Sequence, residues 1–497
     1  MTEFVIANMA PIIFVSMVIF LLVGFPVAFA LAANGIFFAL IGIELGLLGP
    51  QLFQALPDRI FGIMSNDTLL AIPFFTFMGL ILERSGMAED LLDTIGQLFG
   101  PLRGGLAFAV IFVGALLAAT TGVVAASVIS MGLISLPIML RYGYDTKLAT
   151  GVIAASGTLA QIIPPSLVLI IMADQLGKSV GDMYAGAFIP GLTLTAFYVG
   201  YVVLVAIFRP RWVPALPLDA RTLRGGRLVW RVLTTLVPPL MLIFLVLGTI
   251  FLGIATPTEG GAMGATGALI MALTRRRLSW KLLRQAMDTT AKLTTFVVFI
   301  LVGARVFSLT FYGVDGHRWV EHLLTGLPGG EVGFLIVVNV LVFLLAFFLD
   351  FFELSFIVVP LLGPVAQALG IDLIWFGVLL AVNMQTSFMH PPFGFALFYL
   401  RSVAPAAVKT TDIYWGAIPF VCIQIIMVTI LIFVPQLVTF GLAQDVAVDL
   451  DKVQIEMPTS DYGAPAGLQG PSGASPADAE DAASKAIRDA MKQDQGK

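Results

Sequence analysis

The sequence predicts an all-α polytopic membrane protein built from two inverted repeats, and three observations support this fold class. Of the 497 residues, 58% are hydrophobic and only 12% are charged, whereas soluble domains carry about 25% charged residues. The hydrophobic residues form long runs, and a helix needs about 20 of them to cross a bilayer. One stretch of the chain also recurs at a fixed offset, and each copy contains a proline pair within an apolar run.

Ten apolar segments are predicted to cross the membrane as helices. The first has neither a basic stretch before it nor a small-residue cleavage site, so we predict a transmembrane helix rather than a removed signal peptide. The segments centre near residues 9–24, 26–47, 67–83, 146–175, 184–208, 232–252, 258–274, 291–311, 373–400 and 412–438.

Two further apolar segments, residues 105–141 and 332–369, are too long for one crossing. Polar or small residues interrupt each near its middle, in the stretches LLAATTGVVAASV and AFFLDFFELSF. We predict that each forms a re-entrant hairpin, which enters and leaves the membrane on one face. Such backbone is tolerated at membrane depth only where protein or a water-filled cavity covers it.

Loop charges indicate that the two hairpins enter from opposite faces. The loops at 209–231 and 275–284 are rich in arginine and should be cytoplasmic by the positive-inside rule. The count of crossings places the base of the first hairpin on the same side and the base of the second outside. The flanking residues are Arg103, Arg141 and Lys147 for the first hairpin, and Glu331 and Asp372 for the second.

The two hairpins belong to copies of one repeat, separated by 227 residues. Each copy runs from a hairpin through a tight turn and an apolar helix to a polar break that ends in Pro-Pro. Because proline lacks a backbone N–H and clashes with the preceding turn, neither doublet fits within a continuous helix. The matched pairs are Pro137 and Pro364, Gly143 and Gly370, Asp145 and Asp372, Pro164 and Pro391, and Pro165 and Pro392.

Inverted repeats with interrupted helices are the architecture of secondary transporters, which bind substrate and coupling ions at the breaks. Unwound carbonyls and short polar side chains can coordinate a small hard cation such as Na⁺, and half-helix N-termini can hold a carboxylate. The hairpin tips should complete two sodium sites, with no other metal and no organic cofactor. The candidates are Thr120, Thr121, Gly122, Ser127, Ser156, Gly157 and Thr158 for site one, and Asp350, Glu353, Ser355, Asn383, Thr386 and Ser387 for site two.

This interpretation predicts a transport domain, made of the hairpins and broken helices, within a scaffold of other helices. The tail is rich in Ala, Gly, Pro, Ser and charge, so we predict that it is disordered. The parts are scaffold helices at 1–100, transport-domain repeat one at 101–182, scaffold and connecting helices at 183–327, transport-domain repeat two at 328–405, a last transmembrane helix at 406–445 and the tail at 446–497.

Four ionisable residues within the apolar segments are functional candidates, because charge at membrane depth is costly. Asp350 and Glu353 at the second hairpin tip could ligate sodium, lock the tip by a hydrogen bond or act as a proton-sensitive gate. Arg305 could bind a substrate carboxylate, pair with one of those acids, or snorkel towards the interface. His390, in the second break, could contact substrate, tune the pH dependence or cap a half-helix carbonyl.

Other function classes are less consistent with the sequence. It has no HExxH motif and no GxSxG motif at a helix end, which argues against an intramembrane enzyme. The net charge of −4 gives no electrostatic basis for a nucleic-acid partner. The single cysteine, Cys422, allows no disulfide within the chain. A proton-coupled carboxylate carrier is the main alternative, and a channel with re-entrant hairpins is a further one.

Five stretches carry a resemblance to one known family. They are ASGTLAQIIPPS, the hairpin tip TGVVAASV with its GYD turn, ATPTEGGA at 255–262, FFLDFFELSFIVVP, and HPPFGFALF. Together they resemble the large membrane subunit of the tripartite ATP-independent periplasmic (TRAP) transporters. The resemblance covers about residues 5–440 and is specific only in combination.

The resemblance implies sodium-driven, elevator-type uptake of a small carboxylate, for example a 2-oxo acid, across a bacterial inner membrane. It also implies two protein partners: a periplasmic binding protein that delivers the substrate, and a small four-helix membrane subunit. Because little chain precedes the first predicted helix, we expect the small subunit to be a separate chain.

Overall fold

The computed structural model describes residues 2–121, 124–391 and 394–442. These residues form α-helices joined by turns and short 3₁₀ helices, and no strand occurs among them. This confirms the predicted all-α membrane fold. The predicted polar tail at 446–497 lies outside the described residues.

Helices α1 to α11 make up the first half of the described chain, and α12 to α22 make up the second. The first set is α1 (Thr2–Ala7), α2 (Met9–Leu22), α3 (Val27–Glu44), α4 (Leu56–Met64), α5 (Ala71–Arg84), α6 (Met87–Phe99), α7 (Gly105–Thr121), α8 (Val124–Arg141), α9 (Thr146–Thr158), α10 (Leu167–Leu176) and α11 (Val180–Phe208). The second set is α12 (Gly226–Phe251), α13 (Pro257–Thr274), α14 (Trp280–Gly313), α15 (Gly316–Thr325), α16 (Gly330–Leu345), α17 (Phe351–Ile357), α18 (Val359–Ala368), α19 (Leu373–Met384), α20 (Phe395–Val403), α21 (Thr410–Phe433) and α22 (Gln436–Thr439).

The structure extends the repeat well beyond the stretch that the sequence reveals. Shifted by 227 residues, α8 falls on α17 and α18, while α2, α3 and α6 fall on or overlap α12, α13 and α15. The contacts follow the same correspondence, since α3 packs along α14 as α13 packs along α5, and α6 contacts α12 as α15 contacts α2. The described chain is therefore two copies of one fold, in which α4 and α5 together correspond to α14.

Glycine allows the closest helix contacts in this arrangement. A Cβ on Gly303 of α14 would lie 2.3 Å from the carbonyl oxygen of Ala28 in α3. A Cβ on Gly151 of α9 would lie 2.1 Å from the carbonyl oxygen of Gly416 in α21, and one on Gly416 would lie 2.1 Å from that of Lys147. Helices α9 and α21 therefore pack backbone against backbone.

Six helices of the described chain are long and apolar enough to cross a membrane: α3, α8, α11, α12, α14 and α21. Five of them agree with predicted crossings, whereas α8 belongs to the first predicted hairpin. Two bent pairs, α15 with α16 and α17 with α18, raise the number to eight if each counts as one span. The prediction of ten full-length crossings is therefore too high by length and composition, because the other segments form shorter or less apolar helices.

Both predicted hairpins are helical, but they differ in their second arms. Helices α7 and α8 contact each other and form the two arms of the first hairpin. In the second, α16 is followed by two short helices, α17 and α18, which bend by 50°. The crossing predicted near 291–311 lies within a longer helix that begins at Trp280, where the Ser279 hydroxyl caps it by accepting from the Leu282 N–H at 3.2 Å.

Candidate functional site

Both repeats interrupt a buried helix at equivalent positions. Helix α9 ends at Thr158 and continues as a 3₁₀ turn, Leu159–Gln161, before α10 begins at Leu167. Helix α19 ends at Met384 and continues as the 3₁₀ turn Gln385–Phe388 before α20 begins. Three of the four predicted break prolines lie in these connections, and Pro392 lies outside the described residues.

A side-chain cap restarts the first broken helix. The Ser166 hydroxyl accepts a hydrogen bond from the Val168 N–H at 3.2 Å and donates one to the Gln161 carbonyl at 2.5 Å. The same serine therefore joins the end of the 3₁₀ turn to the N-terminus of α10. This link fixes the geometry of the unwound connection, which contains Pro164 and Pro165.

Both arms of the first hairpin contact the last turn of α9. A Cβ on Gly114 of α7 would lie 2.6 Å from the Ser156 Cβ, and a Cβ on Gly157 would lie 2.3 Å from a methyl carbon of Val128 in α8. Ser127 precedes Val128 and is buried. The structure thus brings Ser127, Ser156 and Gly157 of predicted site one to one contact region between the two arms.

Ser156 has the side chain best suited to bind a cation in this region. It is fully buried, and no described group forms a hydrogen bond with its hydroxyl. Three other predicted members of site one contribute no side-chain observation. Gly122 and the side chains of Thr120 and Thr121 lie outside the described part of the chain, although Thr120 and Thr121 end α7.

The Thr158 hydroxyl lies between the two breaks. It donates to the Ala155 carbonyl at 2.8 Å, accepts from Gln385 Nε2 at 3.0 Å, and lies 3.8 Å from Met389 Sδ. A hydroxyl has one proton and two lone pairs, so these contacts leave one lone pair that a cation could use.

The Thr158 contacts form part of a buried network that sequence reasoning missed. Gln424 Nε2 donates to the Tyr198 hydroxyl at 3.0 Å, and both Gln424 Nε2 and the Thr158 hydroxyl lie 3.8 Å from Met389 Sδ, which places α11 and α21 beside the two breaks. Thr158 and Gln385 are 227 residues apart, so their hydrogen bond joins positions that the repeat makes equivalent. Tyr198 and Gln424 are 226 residues apart and miss that equivalence by one residue.

The two acids of predicted site two lock the start of α17. The Asp350 N–H donates to Glu353 Oε2 at 2.9 Å, and the Glu353 N–H donates to Asp350 Oδ1 at 2.9 Å. This reciprocal capping box satisfies two backbone donors that the helix leaves free. Of the roles considered for these acids, the structure shows the tip-locking hydrogen bond.

The polar residues of the second break are held mainly by their own neighbours. Asn383 Nδ2 donates to the backbone oxygen of Asn339 in α16 at 2.8 Å and to its side-chain Oδ1 at 2.9 Å. The Thr386 hydroxyl donates to the Asn383 carbonyl at 2.7 Å. Ser387 is buried, and its hydroxyl has no described hydrogen-bond partner. The first arm of the second hairpin is therefore tied to α19 through a pair of amides.

Ser355 does not join this polar group. Its hydroxyl contacts two thioether sulfurs, at 3.6 Å from Met172 Sδ and 3.7 Å from Met384 Sδ. Methionine sulfur is a weak acceptor, so the contact leaves the oxygen of Ser355 in an apolar setting. Ser355 therefore contacts α19 at Met384, the residue next to Asn383, through a thioether sulfur.

His390 packs between aromatic rings of the second hairpin. Its ring centroid lies 4.1 Å from that of Phe347, in a stacked pair, and 4.4 Å from that of Phe343, at a steep angle. The side chain is 2% exposed, and neither ring nitrogen has a hydrogen-bond partner within the described residues. His390 therefore joins the second break to α16 by ring packing rather than by capping a carbonyl.

Arg305 lies away from both breaks. It lines a cavity of about 260 Å³ with Arg59, Gly62, Ile63, Asn66 and Leu301, and no break residue lines it. Among the described residues, no ion pair joins Arg305 to Asp350 or Glu353. The structure thus separates the two predicted substrate contacts, Arg305 and His390, into different surroundings.

Comparisons with known proteins agree with this architecture. Residues 14–437 match the family model described as the tripartite ATP-independent periplasmic transporter, DctM component. The C4-dicarboxylate TRAP transporter large permease protein DctM of Pseudomonas aeruginosa is 30% identical over 78% of this chain and 89% of its own length. The isethionate TRAP transporter permease protein DctMQ of Oleidesulfovibrio alaskensis is 26% identical over 86% of this chain and 66% of its own.

A solved structure shows a similar fold. The YdaH transporter of Alcanivorax borkumensis superposes with a TM-score of 0.56 at 16% sequence identity, over 80% of this chain and 90% of its own. At that identity the likeness concerns the fold alone.

Proposed function

The chain belongs to the DctM component of the tripartite ATP-independent periplasmic transporters, and we propose that it carries out sodium-coupled uptake of a small organic carboxylate. As a member of that family it is a multi-pass permease of the bacterial inner membrane and not an enzyme. In the proposal, a periplasmic binding protein delivers the substrate, and the breaks in α9–α10 and α19–α20 bind sodium.

The observation that carries the proposal is a pair of buried, unpartnered hydroxyls, one beside each break. Ser156 lies in the last turn of α9 and Ser387 in the 3₁₀ turn that follows α19, and neither hydroxyl has a described hydrogen-bond partner. Leaving a buried polar group unsatisfied costs about 1–3 kcal/mol. A bound sodium ion would offset that cost at both breaks, using these hydroxyls with nearby carbonyl oxygens as ligands.

Alternating access would move the broken helices and hairpins as one body, as in an elevator. The close contacts of Gly114 and Gly157 support this part of the proposal, because they hold the first hairpin and α9 together without intervening side chains. Helix α21 would move with them, since it packs backbone against backbone on α9. The scaffold would then consist mainly of α2–α5 and α12–α14.

The substrate class and the partners follow from relatives. The Pseudomonas aeruginosa relative is named for C4-dicarboxylates, so we propose a small carboxylate here, with 2-oxo acids among the candidates. The isethionate relative is named DctMQ, and this chain covers 66% of it. We propose that a small four-helix membrane subunit, carried on a separate chain, completes the permease.

Uptake into proteoliposomes tests the proposal. The vesicles would contain this chain and the small subunit, with a binding protein loaded with labelled succinate or a labelled 2-oxo acid outside. We expect accumulation only with an inward Na⁺ gradient and only with the binding protein. Accumulation driven by a proton gradient without Na⁺ would instead support the proton-coupled alternative, and uptake that never saturates would support a channel.

A pair of substitutions at Asp350 tests whether its carboxylate binds sodium beyond capping α17. Asp350→Asn keeps an oxygen that can accept from the Glu353 N–H, and asparagine is a good N-cap; Asp350→Ala removes the acceptor. We expect both variants to raise the Na⁺ concentration for half-maximal uptake by about tenfold, equal to about 1.4 kcal/mol. If Asp350→Asn matched the wild type and only Asp350→Ala failed, the acid would be a cap and not a ligand.

A further inference from the structure

We propose that Arg59 and Arg305 form a binding site for a small carboxylate on the outer face of the permease, separate from the two breaks. The two arginines line one cavity of about 260 Å³, whose other walls are Gly62, Ile63, Asn66 and Leu301. The proposal rests on the proposed function for the identity of the ligand. The existence of an anion site follows from the arginines themselves.

The position of α14 places this cavity on the periplasmic side. The helix begins at Trp280, directly after the arginines at 275–277 that mark the cytoplasmic face. Arg84, at the end of α5, donates to the Thr289 hydroxyl at 3.1 Å on that same side. The last charged residue before Arg305 on this helix is Lys292. Arg305 is 13 residues beyond it, roughly 20 Å along the helix, which places it in the outer half of a hydrocarbon core of about 30 Å.

Arg59 is exposed at the cavity mouth and Arg305 is half-buried. Among the described residues, no carboxylate forms an ion pair with Arg59 or Arg305. The Asp174 carboxylate beside the cavity is already occupied, because it accepts from Asn66 Nδ2 at 2.6 Å and from Gln175 Nε2 at 2.7 Å. Two positive charges therefore share a small cavity without a described ion-pair partner, an arrangement that a bound anion stabilises.

The repeat shows that the fold does not require these arginines. Shifted by 227 residues, Arg305 corresponds to Met78 and Arg59 corresponds to Ala286. Both counterparts are buried, at 2% and 0% exposure, and they pack in the apolar core. The counterpart positions on the cytoplasmic side are thus apolar, and the charge at that contact comes from Arg84, which binds Gln285 and Thr289. The pair of guanidinium groups in one cavity is a feature of the outer side.

The volume of the cavity and its two guanidinium groups indicate a small carboxylate as the ligand. Guanidinium groups bind planar carboxylates through paired hydrogen bonds. Pockets for drug-sized ligands have volumes of roughly 300–1,000 Å³, so a cavity of 260 Å³ suits an acid with few carbon atoms. Asn66 links the cavity wall to the end of α10, which continues from the first break. The site is therefore placed to receive a small carboxylate from outside, before it reaches the breaks.

Protection of an engineered thiol tests this site without any need for transport. In a Cys422→Ala background, Gly62→Cys would place a thiol on the cavity wall, where no described atom lies within 4 Å of the new Cβ. The permease, reconstituted with its small subunit, would be treated with the anionic reagent sulfonatoethyl methanethiosulfonate. We expect succinate to slow labelling several-fold and its uncharged dimethyl ester to have no effect.

Variants that remove one positive charge each test whether the arginines bind the protecting succinate. Arg305→Gln and Arg59→Gln should each abolish protection by succinate and should slow the anionic reagent by about tenfold, since local positive potential raises anion encounter rates. Arg318→Gln is the matched control, because Arg318 is exposed on α15, just beyond the end of α14, and pairs with Asp315 at 3.6 Å. This control should leave protection intact.

Three results would overturn the proposal. The first is an accessible thiol that neither succinate nor pyruvate protects. The second is protection that survives both Arg305→Gln and Arg59→Gln. The third is protection by the unloaded binding protein but by neither acid, which would assign the arginines to protein docking. Because the assay requires neither Na⁺ nor uptake, its failure is distinguishable from a failure of sodium-coupled transport.

Discussion

The two breaks share one backbone plan but use different side chains to hold their hairpins. At the first, Ser156 and Gly157 let the hairpin arms touch the backbone of α9. At the second, the equivalent residues are Asn383 and Met384, and the hairpin is held through an amide pair, a capping box and a ring stack. The repeat thus preserves where the helix breaks, while residue size sets how closely each hairpin approaches it.

The largest expected effect on uptake comes from replacing Gly157, at the first break, with methionine, the residue at the equivalent position of the second break. Gly157→Met would place a Cβ 2.3 Å from a Val128 methyl carbon and 3.2 Å from its backbone nitrogen. Overpacking of a close-packed core costs about 1–3 kcal/mol or more, and here it would displace the hairpin from Ser156. We expect uptake to fall below detection and the melting temperature of the purified permease to drop.

A control for this substitution is Gly200→Met in α11, where no described atom lies within 4 Å of a Cβ. The control should retain uptake and stability. Wild-type uptake by Gly157→Met would show that the first hairpin tolerates the wider spacing of the second, and would remove the distinction drawn between the two sites.

An intermediate effect is expected at the hydrogen bond between the breaks. Thr158→Val removes the hydroxyl that accepts from Gln385 Nε2, leaving a buried donor unsatisfied at a cost of about 1–3 kcal/mol. The exchange Thr158→Gln with Gln385→Thr keeps one amide and one hydroxyl at this contact. We expect Thr158→Val to lower uptake and melting temperature, and the double exchange to recover part of both.

Recovery of uptake and stability in the double exchange distinguishes two roles for the Thr158 hydroxyl, sodium ligation and hydrogen bonding to Gln385. If its hydroxyl ligated sodium directly, the exchanged chain would lose sodium affinity even when its stability returned. A half-saturating Na⁺ concentration close to that of the wild type in the double exchange would instead indicate that the hydroxyl acts through its hydrogen bond to Gln385.

The smallest effect is expected at His390. His390→Phe keeps a ring between Phe343 and Phe347, whereas His390→Ala removes two ring contacts worth about 0.5–1.5 kcal/mol each. We expect uptake by the phenylalanine variant to stay within about twofold of the wild type and the alanine variant to lose more. Uptake by the wild type and both variants would be measured from pH 6 to 8, roughly the range in which histidine titrates. If uptake by the wild type varied with pH and uptake by His390→Phe did not, His390 would act by titrating and not only by ring packing.

The sequence revealed the repeat only at residues 137–165 and their copy. Prolines and glycines recur there because turns and helix breaks require those residue types. Helices α2 and α12, or α6 and α15, correspond in position without corresponding in sequence. Many apolar residues satisfy a helix of given length and direction, so the outer parts of the repeat became visible only in the structure.

The sequence predicted which residues lie beside the breaks, but not which residues they contact. Sequence reasoning located Ser156 and Asn383 beside the breaks, yet it could not pair Asn383 with Asn339 or Thr158 with Gln385, because those contacts depend on tertiary packing. Two signals were nonetheless present in the sequence. Gln385 stands at the repeat offset from Thr158, and the Asp-x-x-Glu spacing at 350–353 is that of a capping box.

The backbone contact between Gly151 and Gly416 has a practical consequence for following the movement. It fixes α21 to α9 so closely that neither helix can slide past the other without separating. Helix α21 also carries Cys422, the single cysteine of the chain, with an exposed side chain. In the elevator movement proposed above, a fluorophore on this native thiol would therefore travel with the moving body. Its quenching by lipids labelled at known depths would report the height of that body in the bilayer, without any engineered residue.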